Sequence, residues 1–261
     1  MRNGISAVIG GALLGALALA GQASAEDWVV QVGGQVNAAP PYEGAGYDLV
    51  LPLPTIGIRR ADQPERPAIS GDAPGIAVIN KSWISFGPDL RLRGSRDDTG
   101  LREGLTTVGV AAEPGLFLSL WPIKWVRLHA EQRRGILGYD GWVGDGALDF
   151  VAQAGSWGFT AGPRIGWGGR SYMNTYFGVT SAEAAASPVI DTPYSPRGGE
   201  RYLGGGGAIT YRFNSHWEAI ANVGYHRLSS IAADSPIIML IGSRDEYSGG
   251  IAVKYNFTLH R

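Results

Sequence analysis

The chain has 261 residues, with 22 Lys plus Arg against 23 Asp plus Glu and a formal net charge of −1. That balance excludes partners recruited by a surface charge excess, nucleic acid first among them. Cysteine is absent, so neither a disulfide framework nor thiolate chemistry is available.

The first stretch concerns export. Residues 1–25 carry a charge at Arg2, run apolar from Ile5 to Ala20 and end in the small-x-small triplet Ala23-Ser24-Ala25. This predicts a secretory signal peptide cleaved after Ala25. Residues 26–261 are then one exported domain. After residue 25 no apolar run is long enough to cross a bilayer as a helix. A membrane form has to cross with strands.

Period-two alternation marks such strands. Val30, Val32 and Val36 oppose Gln31 and Gln35; Ile84, Phe86, Leu90 and Leu92 oppose Ser85, Asp89 and Arg91. Trp157, Phe159, Ala161, Pro163, Ile165 and Trp167 alternate with Ser156, Gly158, Thr160, Gly162, Arg164 and Gly166. The last strand puts Ile251, Val253, Tyr255 and Phe257 on one side and Ala252, Lys254 and Asn256 on the other. Strands are expected at 28–36, 47–58, 74–80, 83–92, 105–121, 125–134, 147–153, 156–166, 172–180, 201–213, 216–228 and 247–257. Aromatic residues gather at strand ends, as in the interfacial girdles of membrane barrels. The fold class is therefore all-β: an antiparallel transmembrane β-barrel of about twelve strands, within about ten to fourteen. With both termini in the periplasm, strict alternation places 93–104 and 135–146 inside and the tight Asn80–Ser82 turn outside; long loops usually face out, so this count points to a misplaced strand boundary before residue 150 and leaves the sidedness of those loops open. Long loops are expected at 181–200 and 229–246.

If the apolar faces meet lipid, the polar faces line a lumen. They carry Asp89, Arg91, Glu113, Arg127, His129, Glu131, Arg133, Asp149, Arg164, Arg212, Glu218 and Lys254. Leaving His129 aside, six are basic and five acidic. A selective pore tends to carry a ring of one sign. Balanced signs point to paired charges and a narrow or plugged lumen.

Chemistry is sparse. His129-x-Glu131 has metal-ligand spacing, but a site needs three or four ligands and no second cluster is visible in the sequence, so no metal or other cofactor is expected. His226 with Ser229 or Ser230 raises a lipid hydrolase. Three residues along a strand reverse the face, Ser230 lies beyond the strand end, and no Gly-x-Ser-x-Gly elbow exists, so no catalytic residue is assigned. Gly204–Gly207 precede a strand rather than a helix, which argues for a bend or a close luminal approach over phosphate binding. Asp234-Ser235-Pro236 reads as a stiffened turn, with a partner-facing loop as the alternative.

Several stretches resemble a known family. "YMNTYFGVTSAEAA" (172–185), "YSPRGGERYLGGGGAITYRFNSHW" (194–217), "RLSSIAADSPI" (227–237) and the closing "GGIAVKYNF" are similar to the MipA/OmpV family, the MltA-interacting-protein family of outer-membrane proteins. The resemblance implies a barrel in the outer membrane of a Gram-negative cell, in contact with its lipid. In one branch it implies a scaffold for murein-processing enzymes, a peptidoglycan synthase and a lytic transglycosylase. It transfers no catalytic residues. Tyr255 and Phe257 on the final strand are read as the signal to the barrel-assembly machinery. This chain adds Thr258-Leu259-His260-Arg261 beyond the aromatic residue where family members tend to stop. The expected function is thus a non-enzymatic scaffold. A narrow channel for small solutes is the alternative, and an enzyme acting on lipid a weaker one.

Overall fold

The computed structural model describes residues 27–260. The expected signal peptide lies outside the described residues. Eleven strands form one antiparallel sheet: β1 (Trp28–Ala39), β2 (Leu49–Arg60), β3 (Ile79–Lys81), β4 (Ile84–Arg93), β5 (Ala111–Ile123), β6 (Val126–Gly135), β7 (Gly141–Ala154), β8 (Trp157–Gly168), β9 (Gly199–Arg212), β10 (Trp217–Leu228) and β11 (Asp245–Leu259). Their spatial order is β2-β1-β11-β10-β9-β8-β7-β6-β5-β4-β3. The sheet curls into a barrel wall whose two edges, β2 and β3, share no ladder. No helix among the described residues is long and apolar enough to cross a membrane.

Register fixes the two faces, because successive side chains point to opposite sides. Val30 pairs with Phe257, Val32 with Tyr255 and Val36 with Ile251, all outward. Glu218 pairs with Lys254 and with Arg212, all inward. Aromatic rings band the outside at two levels. Near the termini, Trp157 lies 4.6 Å from Tyr211 and Trp217 4.9 Å from Tyr255. At the other end, Tyr225 lies 5.2 Å from Tyr247. Between them Leu116, Phe159, Ile165, Ile209 and Val223 face outward and exposed. This is the two-girdle pattern of strands that meet hydrocarbon.

Two of the expected strands need correction. Residues 172–180 are not a strand. Helix α1 (Arg170–Phe177) occupies them, burying Tyr172, Met173, Tyr176 and Phe177, a helical spacing of i, i+1, i+4 and i+5. Residues 105–110 belong to the loop before β5, not to the strand. The chain also makes an extra pass. After β2, residues 61–73 run inside the wall: Arg212 reaches Glu65 at 2.8 Å, Thr160 Oγ1 donates to the Ala68 carbonyl at 2.8 Å, and Ser70 Oγ donates to the Val223 carbonyl at 2.9 Å. The chain then returns along β4, where Ile76 and Val78 amides donate to Pro88 and Phe86. This internal pass reverses the direction of β3.

The consequence is that short turns and termini share one end. Trp28 pairs with Leu259 and Arg60, and the turns at 82–83, 124–125, 155–156 and 213–216 lie at this level. The long connections 94–110, 136–140, 169–198 and 229–244 crowd the other. Short turns are periplasmic and long loops extracellular in such barrels. Residues 93–104 and 135–146 therefore sit at the extracellular end, and Asn80–Ser82 at the periplasmic end, which resolves the conflict that strict alternation left before residue 150.

The extracellular connections fold into a cap. It contains α1, α2 (Ser181–Ala186), α3 (Ser230–Ala233) and α4 (Pro236–Ile241). Tyr42, Val108, Tyr139, Tyr172, Phe177 and Ile238 belong to one buried cluster under it. Thr180 and Glu183 form a reciprocal capping box on α2.

Candidate functional site: the charged lumen

Every second residue of the wall points inward, and many of the charged ones meet in an ion-pair network. In its lower tier Arg127 donates to Asp149 at 2.7 Å and to Asp72 at 2.5 Å, and Arg164 donates to Asp149 at 2.6 Å. Ser119 Oγ and His129 Nδ1 share a hydrogen bond of 2.8 Å, and His129 Nε2 and Glu131 one of 3.0 Å. The Ala73 amide donates to Glu131 at 2.8 Å, tying the internal segment to β6. Arg91 stands 3.5 Å from the same carboxylate.

Arg133 joins the tiers. Its fully buried guanidinium meets Glu131, Asp145, Glu113 at 3.4 Å and Asp89 at 3.6 Å. Above it, Arg93 pairs with Glu113 and, at 3.2 Å, with Glu43; Arg201 pairs with Glu43 and, at 2.5 Å, with Asp145. Hydroxyls complete this tier. Tyr139 donates to Glu113 at 2.7 Å, Tyr202 to Asp145 at 2.6 Å and Tyr172 to Glu43 at 2.9 Å. Burial pushes the Glu43 carboxyl up, but Arg201 and Arg93 outweigh it and hold the group below its usual range. Burial, with Glu43 alongside, pushes the Tyr172 hydroxyl well up despite Arg93, so it donates as a neutral phenol. Buried charges are tolerated where they are paired and hydrogen-bonded like this.

The structure places Asp89, Arg91, Glu113, Arg127, His129, Glu131, Arg133, Asp149 and Arg164 together in this network. Arg212, Glu218 and Lys254 sit apart, near the periplasmic end. There Gln31 donates to Glu218 at 3.0 Å, Lys254 to Gln31 at 3.3 Å and Arg212 to Glu65. Tyr255 and Phe257 lie on the outward face of β11. Of Asp234, Ser235 and Pro236, only Asp234 is exposed. Ser235 Oγ accepts from the Ile237 amide and donates to the Phe177 carbonyl at 2.6 Å, and Pro236 opens α4. Two of these three residues hold the cap together from within.

Sequence reading missed Arg93, Asp145 and Arg201, which continue the inward parity or sit at a bulge between Gly166 and Trp167. It also missed Glu43 and Asp72, which come from outside the strands. With Asp72 in place, His129 and Glu131 form a triad whose ligand atoms lie within 4.8 Å of one another. All three side chains are already engaged by Arg127, Ser119, Arg133 or the Ala73 amide. His226 stacks on Tyr202 at 4.0 Å, while Ser229 Oγ donates to the Glu200 carbonyl at 2.5 Å. They form no nucleophile–base pair. The glycine run of β9 gives room to the internal segment: a Cβ on Gly206 would lie 3.3 Å from Ser70 Cβ.

Residues 32–257 match the family described as MltA-interacting protein MipA. The chain belongs to this family. No match was found among curated proteins. Among solved structures the chain is similar to the NanC porin, at 9% identity over 87% of this chain and 98% of that one, with a TM-score of 0.39. It is similar to OprG of Pseudomonas aeruginosa, at 9% identity over 89% and 96% with a TM-score of 0.29. It is also similar to an outer membrane channel from Pseudomonas putida F1, at 10% identity over 90% and 97% with a TM-score of 0.36. This member of the MipA family is built as an antiparallel barrel wall.

Proposed function

We propose that the protein is a non-enzymatic scaffold that holds murein-processing enzymes, a peptidoglycan synthase and a lytic transglycosylase, at its periplasmic end. The observation that carries this reading is the occupied lumen. Ion pairs and residues 61–73 occupy much of the interior, and the extracellular cap packs over one end. A barrel so filled offers its surfaces rather than its bore. The family is described as MltA-interacting, and the family resemblance implies a lytic transglycosylase as one partner. The periplasmic turns supply the surface, with Trp83 and Trp125 exposed there; aromatic side chains of this kind anchor protein contacts. The test is co-purification of the detergent-solubilised protein with each enzyme class. Capture that disappears when Trp83 and Trp125 become Ala supports the scaffold; no capture of either enzyme refutes it.

One observation favours a second reading, a narrow channel for small solutes. Residues 61–73 are held to the wall by side-chain contacts and not by a strand ladder, so they can leave without breaking the sheet. Deleting 65–72 is expected to turn a non-conducting barrel into a conducting one in planar bilayers. Steady conductance of the intact protein would favour the channel over the scaffold.

A further inference from the structure

The wall has an opening. Its edge strands β2 and β3 carry no ladder between them, and the sequence of β2 explains why. Along an antiparallel strand, residues two apart direct their backbone groups to the same side. Pro52 and Pro54 oppose Val36 and Gly34 of β1, and a proline that faced β1 would break that ladder. Their missing donors therefore face the free edge. A strand arriving there would find two of its hydrogen-bond partners absent.

The chain frames this opening at both ends. At the extracellular end the Gly94 amide donates to the Pro41 carbonyl at 2.8 Å, beside the Arg93–Glu43 pair. At the periplasmic end Arg66 donates to Asn80 at 3.0 Å, and Asn80 to the Pro64 carbonyl at 3.3 Å. The sides are apolar. Leu49, Leu51 and Leu53 share the inward face of β2 with Thr55 and Gly57, yet they are 41%, 49% and 40% exposed. Val50 and Ile56 are exposed on the outward face of the same strand, and Ile76, Val78 and Ile79 on the opposite lip. An inward row of three leucines departs from the charged lining of the wall across the lumen.

We propose that the window between β2 and β3 is a lipid-access site, in which an acyl chain of a membrane lipid lies against Leu49, Leu51 and Leu53. Apolar surface of this size facing water costs about 25 cal/mol per Å². The outward face of β2 already belongs to the lipid-facing belt, and the leucine row is reached from that belt through the gap the prolines leave. The occupant supplied by the surroundings is therefore the hydrocarbon chain. Strands apolar on both faces are found where both faces meet apolar matter. The window is independent of the murein-scaffold reading.

The absence of cysteine makes the test clean. Single substitutions Leu51→Cys and Leu53→Cys are spin-labelled and the protein reconstituted in phosphatidylcholine vesicles. Collision of the label with oxygen, which enters hydrocarbon, is compared with collision with a polar nickel chelate, which does not. Ile56→Cys serves as the outward control and Asn256→Cys as the luminal one. The labels at 51 and 53 are expected to match Ile56→Cys and to exceed the Asn256→Cys oxygen-to-chelate ratio by about tenfold, the exclusion a polar solute meets in hydrocarbon. Chelate-favoured labels at both positions would mean a water-filled window and overturn the proposal. Labels shielded from both reagents would mean that protein fills the gap, and overturn it equally. An oxygen-favoured Ile56→Cys in the same vesicles shows that the barrel is inserted, so failure at 51 and 53 falls on the window alone.

Discussion

Arg133 offers the sharpest test of a filled lumen. It is fully buried on β6 and touches four carboxylates, Glu113, Glu131, Asp145 and Asp89, from a single guanidinium. Removing it strands those acids without their shared cation. Breaking one buried pair typically costs about 3–5 kcal/mol, because the remaining charge is left uncompensated. The next residue is a built-in control. Arg134 points outward and pairs with Asp140 at 2.9 Å, both at least half-exposed; such pairs contribute less than about 1 kcal/mol. Arg133→Ala should therefore destabilise by about 3 kcal/mol more than Arg134→Ala, roughly a hundredfold in the folding equilibrium. Arg133→Met separates charge from volume and should cost nearly as much as Ala. The assay is urea unfolding in vesicles followed by tryptophan fluorescence. Equal midpoints for the Arg133 and Arg134 variants would show that water screens the network, and the occupied lumen would no longer argue against conduction.

Three further outcomes follow from particular contacts. Gly162→Val should abolish the folded, heat-modifiable species, because a side chain there would collide with the Leu148 carbonyl of β7, which cannot move without breaking the wall; normal gel mobility would contradict this. Glu183, in the cap outside the membrane, has a carboxyl that burial raises, yet hydrogen bonds from Thr106 and Thr180 outweigh that and lower it to about 2 from an ordinary 4.5. Its contribution is present above 4.5 and lost as pH falls through 4.5 towards 2, so proteolysis by an acid protease within 181–198 should rise over that window and Glu183→Gln should show the raised susceptibility already at pH 5. Phe257→Ser should lower the inserted fraction at unchanged expression, measured by membrane fractionation, whereas undiminished insertion would remove Phe257 from the assembly signal.

Alternation made the wall readable. Wherever both faces of a strand meet different solvents the parity shows directly, as in β8, where Trp157 to Trp167 expected and observed agree residue by residue. The errors fall where that condition fails. Tyr172 to Phe177 are aromatic and β-prone, but their burial at i, i+1, i+4 and i+5 is helical, because the segment packs on a cap and not on lipid. Residues 61–73 show no alternation, since they join no ladder and are held to the wall by side-chain contacts. Pro52 and Pro54 were the legible sign of an edge: a central strand could not carry them both.

The lumen shows the same division, and it explains why the inserted segments carry the acids they do. The wall contributes six guanidinium groups to the ion-pair network, from Arg91, Arg93, Arg127, Arg133, Arg164 and Arg201. Five wall carboxylates answer them, from Asp89, Glu113, Glu131, Asp145 and Asp149. Strand parity identifies this set once the strand ends are placed correctly, apart from Arg201, which the bulge in β9 turns inward. It cannot supply the remaining partners. Glu43 arrives from the β1–β2 loop to meet Arg93 and Arg201, and Asp72 from the internal pass to meet Arg127. Each docks where guanidinium groups are already fixed on the wall, so the attraction that fills the lumen also chooses which segments enter it. Substituting either acid should therefore loosen its own segment first: Asp72→Asn should free residues 61–73, and Glu43→Gln should free the upper mouth, each measurable as faster amide exchange in that segment while the wall strands keep their protection.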